Sequence, residues 1–367
     1  MLDAYQAWQQ KQGVPLLDGF YIEDLNTVEL GIWARKGARG AMINLDGTGG
    51  VNDAHIVELG PAASTHPEHH MYEEMVYVLS GQGSTSVWYD GQDKQTFEWG
   101  TGSLFAIPLN AWYQHFNGSG SQTARFMSVT NLPTILRTFH SEDFVFDDPF
   151  VFRDRFGGQA GYFAGEGKLF RNKNQKVLET NFVADVRSLE LHTWKQRGGG
   201  GSNVMLELAQ NSMGAHVSQF QTGMYKKAHR HGPGAHVTIL NGAGYSLLWE
   251  DPDAEPKKCV WKPGSVVVPP ENWLHQHFNT GPEPARYLAL RFTGRRFFQP
   301  GKYRSGSGPY VSIKLGGWQI EYEDEDPAVH RMFEEELAAH GAPCLMKGYV
   351  PSCTGQASAE ALDQSAD

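Results

Sequence analysis

Pro108-Leu109-Asn110-Ala111-Trp112-Tyr113-Gln114-His115-Phe116-Asn117 returns as Pro270-Glu271-Asn272-Trp273-Leu274-His275-Gln276-His277-Phe278-Asn279, about 161 residues further along the chain. Working outward, Ser80-Gly81-Gln82-Gly83 is answered by Asn241-Gly242-Ala243-Gly244, and Trp88 by Trp249. Trp99-Gly100-Thr101-Gly102-Ser103 is answered by Trp261-Lys262-Pro263-Gly264-Ser265. A period this long means one domain-sized unit built twice. From about 50 to 132, short apolar or alternating runs are punctuated by Gly, Asn and Pro, as at Met75–Leu79, Ser84–Tyr89 and Ser103–Pro108. The same text returns from about 203 to 294. Short strands with frequent turns predict an all-β sandwich or barrel, twice over.

The repeat divides the chain into an N-terminal arm (1–49), a first barrel (50–135), a connector (136–200), a second barrel (201–299) and a tail (300–367). The spacing of Leu2, Tyr5 and Trp8, stopped by Gly13, predicts a helix over 2–12. In the connector the phenylalanines are expected to pack on the barrels, and Gly198–Gly201 reads as a flexible loop. In the tail, Asp326 caps a helix with Pro327 at its first position and Val329, Met332, Phe333 and Leu337 on one face. The acidic run Glu321–Asp326 reads as a solvated face.

At 367 residues, 40% hydrophobic and 12% aromatic, the chain can bury two cores. A net charge of −10 without a basic stripe argues against nucleic acid as a partner. No run of 18 apolar residues is present, so no membrane span is expected. No basic region followed by an apolar stretch opens the chain, so no signal peptide is read there and a cytoplasmic location is expected. Cys259, Cys344 and Cys353 are odd in number and lack CxxC spacing, so a reduced compartment is expected and a thiol metal site is not.

Laid in register, the copies differ where chemistry belongs. Glu68, His70 and Glu74 stand opposite His229, His231 and Ala235, and Tyr113 stands opposite His275. Residues i and i+2 of a strand share a face, so His229 and His231 can grip one ion, and His275 can close the set. Three neutral ligands leave a divalent charge unbalanced and coordination positions open. That favours an anionic, chelating small-molecule substrate, with room for dioxygen. Glu68, His70, Glu74 and Tyr113 could hold a second ion through oxygen ligands, or form a vestigial site filled by side chains. His236 could replace the missing glutamate, but counted from Gly242 it points off the metal face. His277 shares its place with His115, which suggests scaffold. Arg291, opposite Thr130, suits a substrate carboxylate. His236, His277 and Arg291 are the candidates for proton handling and substrate orientation. Arg125 and Arg286 match and read as structural. Trp273 lines a mouth or is simply buried.

Gly223-x5-His229-Arg230-His231 and Gly264-x5-Pro270-x-Asn272-x2-His275-x3-Asn279 resemble the two motifs of the cupin superfamily. The doubled pattern resembles a bicupin. The resemblance implies two double-stranded β-helix (jelly-roll) barrels in tandem, here with a short N-terminal helix and a C-terminal helix. Ala235 at the usual glutamate position, with Trp273-x-His275-x-His277, is most similar to the gentisate 1,2-dioxygenase group. That likeness implies His229, His231 and His275 as ligands to Fe(II), with Mn(II), Ni(II) or Zn(II) as alternatives. It also implies dioxygen-dependent opening of a hydroxylated aromatic acid, and a homo-oligomer. A metal-dependent decarboxylase, lyase or isomerase, and a non-enzymatic small-molecule-binding protein, stand as alternatives because the fold hosts many activities.

Overall fold

The computed structural model describes residues 2–172, 175–232, 234–251, 254–292, 308–353 and 355. The chain opens with a helix, Ala4–Gln12, whose first turn is closed by a reciprocal cap between Asp3 and Gln6. Gly13 ends it at φ 66, a left-handed conformation that costs glycine nothing.

Each repeat folds into a large sheet facing a three-stranded one. In the first, the large sheet runs Leu16–Leu17, Ala38–Ile43, Asp53–Leu59, Ala124–Thr130, Glu74–Ser80, Leu104–Ile107 and Phe182–Val183. The small sheet runs Trp112–Asn117, Gln82–Trp88 and Gln95–Gly100. The second repeat reproduces the core of this order, with Ser202–Leu208, Gly214–Phe220, Ala285–Arg291, His236–Asn241 and Val266–Val267 in the large sheet. Its small sheet is Lys257–Trp261, Gly244–Trp249 and Leu274–Asn279. Two jelly-roll barrels in tandem therefore form the all-β body. Among the described residues no helix is long and apolar enough to cross a membrane.

The arm and the connector do not stand apart from the barrels. Tyr21–Ile22 crosses to the second barrel and pairs with Val266–Val267. Phe182–Val183 makes the reverse crossing and pairs with Leu104–Phe105. Leu25 N–H donates to the Gly264 carbonyl at 2.9 Å, and Val186 N–H to the Gly102 carbonyl at 2.9 Å. Arg125 then donates to the Leu25 carbonyl and Arg286 to that of Leu189, so each matched arginine ties down an exchanged arm. The repeat thus extends upstream of residue 50, with Asp24, Trp33 and Lys36 matching Asp185, Trp194 and Arg197.

Strand alternation assigns the two faces of each large sheet. Val76 and Val78 turn into the first barrel beside Phe105 and Phe126. Met75 and Tyr77 turn outward into a core shared with Leu206, Leu240, Leu288 and Leu290 of the second barrel. Leu25 and Val186, both fully buried, belong to that shared core. Phe146, Phe156 and Phe163 of the connector pack on the first barrel.

Two local expectations are corrected. Gly198–Gly201 forms a hydrogen-bonded turn, with Gly198, Gly199 and Gly200 at φ 69, 63 and 59 and the Gly201 N–H bonded to the Gly198 carbonyl. The acidic run is solvated only in part: Glu323 and Asp326 are exposed, but Glu325 accepts from the Tyr225 hydroxyl at 2.5 Å and from Gln276 Nε2 at 2.6 Å, and Glu321 pairs with Lys227. The tail helix forms over Pro327–Ala339, with the Asp326 side chain capping Ala328 N–H at 2.8 Å.

Because each arm is buried in the other barrel, the two are expected to unfold together. Leu25→Ala removes a fully buried leucine from the shared core and is expected to cost about 2–4 kcal/mol. Urea denaturation followed by fluorescence should show one transition at a lower midpoint. Two transitions, only one of them shifted, would contradict the exchanged-arm coupling.

Candidate metal centre

The second barrel brings His229, His231 and His275 together. One ring nitrogen from each lies within 4.8 Å of the others. The framework is a backbone bridge: His229 N–H donates to the His275 carbonyl at 3.1 Å, and His275 N–H to that of His229 at 2.9 Å. His231 is held by Asn272 N–H on its carbonyl at 2.8 Å.

Each of the three rings has its Nδ1 on a main-chain carbonyl: Lys227 at 3.1 Å, Gly232 at 3.0 Å and Trp273 at 3.3 Å. A carbonyl only accepts, so Nδ1 carries the proton and Nε2 keeps its lone pair. Backbone contacts thus fix the tautomer a metal ligand needs. Burial holds His231 down to about 4, with the charges of Arg197 and Arg291 adding to the effect. It holds His229 and His275 well below the ordinary imidazole range, and neighbouring imidazoles and Arg197 reinforce it. The set is therefore neutral at physiological pH.

Arg197 and Arg291 act on the cluster electrostatically, and Lys226 acts on His277 behind it. Arg291 lies on the interior face of its strand, in phase with Ala285, Tyr287 and Ala289, close enough to His231 for its charge to act there. Buried Arg197 donates to Gln319 Oε1 at 2.9 Å, and Gln319 bridges to the His229 backbone. Buried Lys226 donates to Ser218 Oγ and to the Tyr287 hydroxyl, each at 2.8 Å. Arg197, Lys226 and Gln319 escape a reading confined to the histidine motifs. Arg197 was signalled by its match to Lys36, three residues after the paired Trp33/Trp194, which with Asp24/Asp185 sets the register.

The other candidates fall elsewhere. His236 shares its strand face with Thr238 and Leu240, which point into the inter-barrel core, and its Nδ1 lies 3.4 Å from Asn52 Nδ2. It therefore does not take the place of the missing glutamate; Ala235 holds the inward position. His277 Nδ1 is 2.7 Å from Ser246 Oγ, which accepts from Trp261 Nε1 at 3.1 Å. His115, Thr85 and Trp99 repeat that triad at 2.7 and 2.9 Å in the first barrel, so the arrangement is scaffold. Trp273 packs on Phe20 of the crossing arm, ring centres 5.6 Å apart.

The first barrel keeps the framework and changes the charge. Glu68 and Tyr113 make the same backbone bridge, at 3.0 and 2.9 Å. The buried Lys36 ammonium then sits on Glu68, 3.5 Å from the Tyr113 hydroxyl. His70 Nε2 lies 2.9 Å from Glu74 Oε2, and the Tyr113 hydroxyl lies 2.8 Å from Glu68 and 3.0 Å from Glu74. Burial opposes ionisation of Glu68 and Glu74, yet Lys36 and its neighbours hold both below the usual carboxylate range. Here the Lys36 ammonium supplies positive charge against the buried carboxylates.

Residues 55–130 match the cupin domain family. An 80-residue stretch is 32% identical to 5-aminosalicylate 1,2-dioxygenase of Comamonas sp, covering 22% of this chain and 19% of that protein. The match thus spans about a fifth of that relative's length. Among solved structures, oxalate decarboxylase of Lactobacillus farciminis aligns at 13% identity and TM-score 0.48, over 74% of this chain and 85% of that one. The Bacillus subtilis oxalate decarboxylase aligns at 13% and 0.48, over 76% and 77%. Neither structural likeness bears on the reaction.

Two predictions follow from the buried charges. Lys36→Met leaves buried Glu68 with only the more distant Arg35, at 3.8 Å, and is expected to cost about 3 kcal/mol in chemical denaturation; a loss under about 1 kcal/mol would contradict the ion pair. The second concerns acid. Burial holds His115 and His236 down to about 4, and His55 and His277 to about 3, with Lys36 and Lys226 adding to the last two. The unfolded chain takes up those protons near 6.5 and the folded chain does not, so stability is lost as pH falls from 6.5 toward 4. Each ring contributes up to about 1.4 kcal/mol per pH unit. Asp53 and Glu325, raised by burial to about 6 and about 7, act in the opposite direction but are outnumbered. Urea midpoints of metal-free protein should fall steeply across that interval; a flat profile would contradict the burial of these rings.

Proposed function

We propose that this tandem cupin is a metal-dependent oxygenase, with Fe(II) held by His229, His231 and His275 and a hydroxylated aromatic acid as substrate. The observation that carries the reading is a neutral three-imidazole set with no carboxylate in the group, within electrostatic reach of Arg197 and Arg291. The donors fit the ion, since each imidazole is held as the Nδ1–H tautomer with Nε2 available. When bound, Fe(II) would supply the open positions and the electron-transfer chemistry that bring dioxygen and a chelating substrate together.

The chain's own residues set charge, orientation and proton supply. A site without a ligand carboxylate keeps the full charge of its ion, so it prefers an anion that donates two oxygens. Arg291, whose charge reaches His231, would orient the substrate carboxylate with a planar fork of donors. Arg197 adds positive potential from behind His229 and holds the Gln319 segment at the rim. Lys226 donates to the Tyr287 oxygen, which leaves the Tyr287 hydroxyl proton to be offered within the barrel. Phe220, Val237, Ile239 and Trp261 line the same interior and exclude bulk water. The substrate named for the relative, 5-aminosalicylate, has adjacent carboxylate and hydroxyl groups on a ring, the class this site favours.

The test is anaerobic loading with Fe(II), then oxygen uptake with gentisate, 5-aminosalicylate and salicylate. Uptake with at least one acid is expected. No uptake from a loaded protein contradicts the oxygenase reading, and turnover under nitrogen would replace it with lyase chemistry. Arg291→Ala is expected to raise KM about 10–100-fold, equivalent to about 1.4–2.7 kcal/mol, with a smaller change in kcat. An unchanged KM would remove Arg291 from substrate binding.

A further inference from the structure

A second donor cluster lies in the C-terminal segment, on the outer side of the second barrel. His330 and Glu334 stand one turn apart on the helix Pro327–Ala339. The chain turns at Gly341, delivers Cys344, turns again through Met346–Val350 and returns with Cys353. The pattern is His330-x3-Glu334-x9-Cys344-x8-Cys353. One donor atom from each of the four lies within 4.8 Å of all the others. The expectation that the cysteines hold no metal rested on the absence of CxxC spacing; helix and loop closure supply the proximity that spacing did not.

We propose that His330, Glu334, Cys344 and Cys353 form a structural zinc site. Tetrahedral zinc with bonds of about 2.3 Å to sulfur and about 2.0–2.1 Å to nitrogen or oxygen sets the separations between its ligands. They are about 3.8 Å for two sulfurs, about 3.3 Å for nitrogen and oxygen, and about 3.6 Å for sulfur and oxygen. The structure places Cys344 Sγ and Cys353 Sγ 3.6 Å apart, His330 Nε2 and Glu334 Oε1 3.1 Å apart, and Cys353 Sγ and Glu334 Oε1 3.9 Å apart. Three edges of the tetrahedron are therefore already near their lengths.

Groups around the cluster orient it. His330 Nδ1 lies 3.2 Å from the Tyr225 hydroxyl, which donates to Glu325 at 2.5 Å. With that proton directed to Glu325, the Tyr225 oxygen accepts from Nδ1–H, and Nε2 turns its lone pair toward the cluster. His330 and Cys344 are buried, and Phe333, Leu337, Ala342 and Met346 pack around them against Tyr245 and Phe278 of the small sheet. Two thiolates and an imidazole select a thiophilic ion over magnesium or calcium. Four protein ligands leave no open position, which marks the site as structural. Zinc would clip the helix and its returning loop together, and Glu325 and Gln276 link that lobe to the strand carrying His275. This site is independent of the reaction proposed for the three-histidine centre.

The test uses the full-length, reduced protein, stripped of metal and refilled with cobalt(II). One equivalent should give a thiolate-to-cobalt charge-transfer band in the near ultraviolet, which zinc abolishes by displacement. The three-histidine centre has no sulfur and cannot produce that band. Cys353→Ser should lose the band and lower zinc in the purified protein at least tenfold, whereas Cys259→Ser should leave both unchanged. Native thiol titration should find Cys344 and Cys353 protected until a chelator is added. No band from protein with free thiols, a band that survives Cys353→Ser, or a Cys344–Cys353 disulfide in freshly purified protein would each overturn the proposal.

Discussion

A charge taken out of water must be balanced within a few ångströms, and that constraint shapes both barrel interiors. The jelly roll directs side chains from several strands at one point, through the same backbone bridge in each copy. In the first copy the point holds Glu68 and Glu74, and the Lys36 ammonium supplies the cation. In the second it holds three neutral imidazoles, and the nearby formal charges belong to Arg197, Arg291 and Lys226. An interior that is already positive, with three lone pairs fixed at its centre, suits an ion that arrives with an anionic partner.

The same substitution, read across copies, divides scaffold from chemistry. The Trp–hydroxyl–His triads, Trp99–Thr85–His115 and Trp261–Ser246–His277, are identical in role and brace the small sheets. The matched arginines anchor the exchanged arms. Positions that differ, such as Glu68/His229, Glu74/Ala235, Tyr113/His275 and Lys36/Arg197, all face the barrel centres or act on them electrostatically. At this point the first barrel carries a buried ion pair and the second three neutral imidazoles.

Much of this was legible in the residues. Glycine turns and strand-length runs specify both barrels, and His-x-His with a later histidine specifies the ligand set, although His229 sits on an isolated bridge and His231 outside any strand rather than on one strand face. What escaped was non-local. A register started at residue 50 hides the arm exchange, although Asp24/Asp185 and Trp33/Trp194 carry it. Lys226 stands opposite Thr65 and reads as an ordinary surface lysine until the fold buries it. Glu325 reads as solvated until Tyr225 and Gln276 meet it. His236 illustrates the reverse: its spacing suggests a ligand, and one residue of strand phase turns it into the seam between barrels.

The central claim is that the second barrel binds the metal and the first replaces it with Lys36. Iron content after anaerobic Fe(II) loading, compared between His231→Ala and Glu74→Gln, tests it most directly. The account predicts that His231→Ala abolishes bound iron while Glu74→Gln keeps about one iron per chain. Iron retained by His231→Ala and lost by Glu74→Gln would contradict it.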